Sequence, residues 1–141
     1  MGKINIGRVV LGGIVAGVVM DLLGYLVDGL LLGQKWSDDM IVLGRSEFSS
    51  TQLIEFNLLG IVTGLVAIWI YAGIRPRFGA GVKTAIYAGI AVWIVGVLLP
   101  NASFMYVAGL FSRHLTLYTT LGGLVEVVVG TIAGMVLYKD A

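Results

Sequence analysis

Four apolar stretches, each close to the length that crosses a lipid bilayer, dominate the chain and leave few folds open to it. A spanning α-helix takes about 20 mostly apolar residues. The stretches run roughly over 9–32, 52–74, 84–110 and 115–138. They are continuous and do not alternate with period two. That pattern selects helices over barrel strands, since in lipid each backbone polar group must be satisfied within its own segment. The expected fold is an all-α membrane protein, a four-transmembrane-helix bundle forming one domain over residues 1–141. Charge supports this: 12% of residues are charged, about half the roughly 25% of a soluble domain.

The third stretch is interrupted by Pro100-Asn101. A helix kinked at Pro100 and running on toward Leu110 is one reading; a break followed by a short interfacial or re-entrant piece over residues 101–111, capped by Asn101, is the other. At the N-terminus, Lys3 and Arg8 precede an apolar run as in a signal peptide. The run continues to about Leu32 without a small-x-small cleavage site, so a retained first helix is expected.

Basic residues set the orientation. Lys3, Arg8, Arg75, Arg77, Lys83 and Lys139 fall on one side, against Lys35, Arg45 and Arg113 on the other. Both termini are therefore expected in the cytoplasm, and the chain in a cell inner membrane. The opposite loop, residues 33–51, is the only sizeable polar segment. Ser37-Asp38-Asp39 reads there as a helix start, with Ser37 as N-cap and Trp36 and Ile41 at hydrophobic-staple spacing. A short interfacial helix anchored by Trp36 is expected. Ser49 and Gln52 have the spacing of a capping box for the next helix.

Glycine is abundant, 21 residues, and lies inside the apolar runs. Gly13, Gly17, Asp21, Gly24 and Asp28 share one face of the first helix. Asn57, Gly60, Gly64 and Ala67 do so on the second, Ala85, Gly89 and Gly96 on the third, and Gly123, Glu126, Gly130 and Gly134 on the fourth. Small residues let helices approach closely in lipid, where no hydrophobic force drives them together. A tight bundle follows, and the spacing leaves open whether the packing is within one chain or between chains.

Asp21 and Glu126 fall near the midpoints of their helices, on the glycine faces. A charged acid at the bilayer centre costs roughly 2.5–3.5 kcal/mol, and no Lys, Arg or His lies at matching depth. One reading is a proton or cation pathway through Asp21 and Glu126, with the hydroxyls of Thr63 and Tyr25 beside them. The other is that the neutral acids hydrogen-bond within the bundle and hold its register. The lack of a basic partner and of a broken helix at that depth favours the second.

Asp28, Glu55, Asn57, Asn101 and His114 form an expected outer polar cluster, whose oxygen and imidazole groups suit a divalent ion in principle. Solvated interfacial residues are the simpler reading, and no metal is expected. The single histidine excludes bis-His haem ligation by one chain. No cofactor is expected, with a bound lipid or pigment left open. The chain lacks cysteine and the P-loop, GxSxG and HExxH signatures, so catalysis is not expected. The net charge of +1 gives no reason to expect nucleic acid.

Four strings resemble a group of short, uncharacterised bacterial membrane proteins of acidobacterial type: Ile6-Gly-Arg-Val-Val-Leu-Gly-Gly-Ile-Val-Ala-Gly17, Gly33-Gln-Lys-Trp36, Tyr71-Ala-Gly-Ile-Arg-Pro-Arg-Phe-Gly79 and Gly134-Met-Val-Leu-Tyr-Lys139. The resemblance implies a four-span chain in a bacterial inner membrane and carries no activity. With small faces on every helix, the first expectation is a non-enzymatic accessory or assembly subunit, packing among lipids with other membrane subunits or with itself. The alternative is a small proton- or cation-coupled transporter or channel using the midplane carboxylates.

Overall fold

The computed structural model describes residues 2–141, and among them every regular element is helical. We number five helices: α1 (Ile6–Leu31), α2 (Gly33–Val42), α3 (Ser50–Phe78), α4 (Val82–Val107) and α5 (Arg113–Met135). All but α2 are long and apolar enough to cross a membrane. Large apolar side chains stand exposed along all four, including Leu22, Leu58, Trp69, Val95 and Leu117. A water-soluble monomer rarely exposes so much contiguous apolar surface; a bilayer requires it.

Local chemistry sets the ends. The Asn5 side chain accepts from Arg8 N and starts α1. Ser49 and Gln52 form the full capping box of α3, and Ser112 caps α5. α3 ends at Gly79, whose φ of 87° suits a residue without a Cβ. Arg75 and Arg77 lie in its last turn, where cations meet the negative end of the helix dipole.

α4 runs through Pro100 without a break, which settles the alternatives at that point. Proline removes one backbone donor and crowds the preceding turn. The helix accommodates this by widening to i→i+5 winding at Ile94–Leu98 and Asn101–Val107, on either side of Leu99-Pro100. α1 widens likewise over Tyr25–Leu31.

The short helix of the first loop starts earlier than its sequence signals suggest. α2 begins at Gly33, so Ser37, Asp38 and Asp39 lie within it and Ser37 is not its N-cap. Their polar groups are used elsewhere. Ser37 Oγ donates to Glu47, Asp38 accepts from Gln34 Nε2, and the buried Asp39 accepts from Ser112 N at 2.8 Å.

α1 packs between α3 and α5, and α4 closes against the same two helices from the other side. The glycine faces are spent inside this bundle. A Cβ at Gly64 would run into the backbone of Gly13 and Gly17, and one at Gly134 into the Gly12 carbonyl and Ala16. Ala16, Ala67, Ile68, Ala85 and Ala88 fill the core at this level with no exposure. Gly96 faces open space, so the small face of α4 is only partly used.

Candidate functional site

The close packing belongs to the half of the bundle that holds the termini. In the other half α3 parts from its neighbours: Gln52 to Leu59 are exposed on every face of the helix. The separation opens a cleft of about 680 Å³ between α1, α3 and α5, with α2 and the following loop at its mouth.

The cleft gathers the acids expected near the midplane. Asp21, Tyr25 and Asp28 reach it from α1, Asn57 and Thr63 from α3, and Glu126 from α5. The four expected pathway residues, Asp21, Glu126, Thr63 and Tyr25, thus share one space. A glycine faces each of the two carboxyls. The Asp21 carboxyl lies directly over Gly60, where any side chain would collide with it. Glu126 lies opposite Gly24, its Oε2 3.7 Å from where a Cβ would stand. Gly24 falls between Asp21 and Asp28 on α1, so Glu126 of α5 lies at a level between the two acids of α1.

Their environments differ. Asp28 Oδ1 accepts two hydrogen bonds, from Thr119 Oγ1 at 2.7 Å and from Trp36 Nε1 at 3.0 Å. Glu126 Oε1 is buried and has no hydrogen-bond partner among the described residues. Thr63 Oγ1 donates to the Leu59 carbonyl of its own helix. Glu47 adds a fourth acid at the mouth, and the described lining includes no Lys, Arg or His. Such a space attracts protons and cations and repels anions.

Below Asp21 the cleft stops. Met20, Ala16 and Gly130 close α1 against α5, and Gly13, Gly17 and Gly64 close it against α3. The terminal end carries a second closure. Arg75 pairs with Asp140 at 2.6 Å, and Tyr138 OH donates to Asp140 and accepts from Asn5 N. The Tyr138 ring stands edge-on to Tyr71, centroids 5.9 Å apart.

The outer polar residues do not come together as one group. Asp28 and Asn57 line the cleft. Glu55 is exposed on α3, Asn101 donates to Thr120 between α4 and α5, and His114 lies against the Tyr118 ring. Among the described residues no three His, Asp or Glu side chains are placed to hold a metal ion. Gly89 and Gly123 pack α4 against α5 and lie outside the cleft.

Sequence reasoning missed the aromatic side of the site. Trp36 stands edge-on to Phe111 and Phe48, and Phe48 to Phe56. Trp36, Phe48 and Phe56 all line the cleft. Phe56 was within reach of the same spacing argument, since 56, 60 and 63 share a helix face. So was Thr119, which shares its face with Gly123 and Glu126. No family model, curated protein or solved structure matches this chain.

Proposed function

We propose that the chain is a small proton- or cation-coupled membrane carrier in which Asp21 and Glu126 take up and release the coupling ion. The observation that carries this reading is the shared cleft. Acids from two helices open into it, no base among the described lining faces them, and one buried oxygen of Glu126 has no partner among the described residues. An intramembrane carboxyl without a partner is costly to keep and points to a function. A role in helix register gains little support, because the glycine contacts already hold α1 to α3 and α5.

A carrier fits better than a channel, since close backbone packing ends the cleft below Asp21. Ions would cross only as the bundle rearranges and the terminal end opens. The Lys/Arg distribution supports cytoplasmic termini; in that orientation the cleft would face outward across a bacterial inner membrane, with α2 along the membrane surface. The test is proton or sodium flux in proteoliposomes. Wild type conducts, and Asp21→Asn and Glu126→Gln do not while remaining folded. Wild type without flux ends the reading.

One observation favours an accessory or assembly role as a second reading. The outer part of α3, from Gln52 to Leu59, is exposed on every face, beyond the contact of Phe56 with Phe48, and offers a face to another subunit. The glycine stripes no longer argue for a partner, being used internally. Purification in mild detergent separates the two: a monodisperse monomer without a co-purifying chain removes this second role.

A further inference from the structure

We infer that the cleft binds a free organic monocation with apolar substituents, held between the acids of α1 and α5 and an aromatic wall formed by Trp36, Phe48 and Phe56. The inference deepens the carrier reading, on which its transport consequence rests. Its binding test stands apart from that reading.

The two sides of the cleft make different demands on a ligand. On one side, Asp21 and Glu126 supply negative charge unopposed by any basic side chain in the described lining. Asp28 already accepts from Thr119 and Trp36, whereas Glu126 Oε1 is buried and accepts from nothing. Positive charge in the ligand would be drawn to Glu126 and Asp21. Tyr25 and Glu47 are the other titratable groups of the lining. α3 contributes only Asn57 and Thr63 as polar groups, and α4 contributes only Val97.

On the other side, three rings form a continuous edge-to-face series. Trp36 and Phe48 centroids are 6.0 Å apart, and Phe48 and Phe56 5.3 Å apart. Aromatic faces attract cations, most strongly those that shed their water easily. A small inorganic cation is a poorer match. It asks for several oxygens at about 2.0–2.6 Å, and among the described residues no three carboxylate or imidazole side chains converge.

Size and charge narrow the ligand further. About 680 Å³ is room for a molecule rather than a bare ion, within the roughly 300–1,000 Å³ of small-molecule sites. A zwitterionic lipid headgroup brings a phosphate that these acids would repel without a base to receive it. Apolar substituents suit the wall instead: Leu53 and Phe56, half-exposed at 50% and 52%, carry it onto the membrane-facing surface of α3.

Tetraphenylphosphonium is the probe, titrated calorimetrically into the full-length protein in mild detergent at about pH 8. Wild type is expected to bind it, seen as a saturable heat of binding. Glu126→Gln should bind about tenfold more weakly. Phe56→Ala, at a half-exposed position that leaves the fold intact, should bind about threefold more weakly. Neutral triphenylphosphine oxide should not compete. Melting curves confirm that each variant is folded.

No binding by wild type overturns the inference, as does equal binding by both variants or full competition by the neutral compound. If the probe fails while wild-type proteoliposomes still pass protons in a Glu126-dependent way, this inference falls and the carrier reading stands. If the probe binds with the expected variant effects and no ion flux is seen, the site stands and the carrier reading falls.

Discussion

Asp28 on α1 and Thr119 on α5, 91 residues apart in the chain, are joined at the cleft by a 2.7 Å hydrogen bond from Thr119 Oγ1 to Asp28 Oδ1. The same oxygen accepts from Trp36 Nε1 of α2 at 3.0 Å. One carboxylate oxygen therefore ties three helices together. A hydrogen bond to a charged group contributes about 1.5–3 kcal/mol, and the loss of its acceptor leaves partly buried donors unpaired. Asp28→Ala should lower the melting temperature by several degrees, and Asp28→Asn, which keeps an acceptor oxygen, should lower it less. In a background with Trp69 and Trp93 changed to Phe, Trp36 emission should move to longer wavelength in Asp28→Ala. An unchanged melting curve would show that the tie contributes nothing.

Two glycines of α3, at 64 and 73, should respond oppositely to the same substitution. A Cβ at Gly64 meets the backbone of Gly13 and Gly17, so α1 and α3 must part to admit it. At Gly73 nothing lies within 4 Å. Overpacking costs about 1–3 kcal/mol where side chains can adjust, and backbone adjusts less readily. Gly64→Ala should lose at least that much stability in a detergent unfolding titration. Gly73→Ala should lose none, and replacing an interior helical glycine can add about 0.5–1 kcal/mol. Equal behaviour of the two variants would contradict the α1–α3 packing described here.

The terminal closure should weaken in alkali. Tyr138 is 4% exposed, and burial, chiefly, pushes its hydroxyl above the usual phenol range, with its bond to Asp140 acting in the same direction. The folded state therefore keeps this proton at a pH where the unfolded chain has lost it. The stability Tyr138 contributes is complete below the ordinary phenol value of about 10 and falls as pH rises through the folded value. Tyr138→Phe should melt slightly lower than wild type near neutrality, then lose less stability above about pH 10. Parallel melting-against-pH curves would remove Tyr138 from the account. The Arg75–Asp140 pair itself should contribute little: its side chains are 21% and 41% exposed, and solvated pairs contribute about 0–1 kcal/mol.

What could be read from the sequence depended on range. Hydropathy over about 20 residues marks the spans, and the local geometry of Ser49 and Gln52 marks a helix start. Period 3.6 places Asp21 with Gly17 and Gly24, and Glu126 with Gly130, so the acids' shared interior direction was legible. Ser37 misled because its capping signal is local while its hydroxyl is used by Glu47, and Asp39 by Ser112 from the far end of the chain. The cleft was not legible. It depends on how far the outer part of α3 diverges from α1, a matter of backbone geometry that no periodicity encodes. Phe48, in a loop without period, joined the aromatic wall unannounced. His114 and Asn101 looked like partners of Asp28 by depth alone, but α5 and α4 turn them elsewhere.

Function and structure can be separated at the two acids. If Asp21 and Glu126 held the helices in register through hydrogen bonds, neutral isosteres would keep some bonds, and truncation would weaken the bundle. The observed geometry argues the reverse for Glu126. Its Oε1 is buried without a partner among the described residues, so no bond within the bundle offsets the cost of burying it. Glu126→Gln should leave the melting temperature unchanged or raised while ion flux is lost, the usual signature of a residue kept for activity at the expense of stability. Asp21 provides the comparison, since its carboxyl presses on Gly60 at the α1–α3 contact. Asp21→Asn is nearly isosteric and should also keep the fold while losing flux; Gly60→Ala should displace the carboxyl and lower both stability and flux. Should Glu126→Gln unfold the protein while Gly60→Ala leaves it intact, the carboxyls would be structural and the glycines incidental, and the carrier reading would lose its basis.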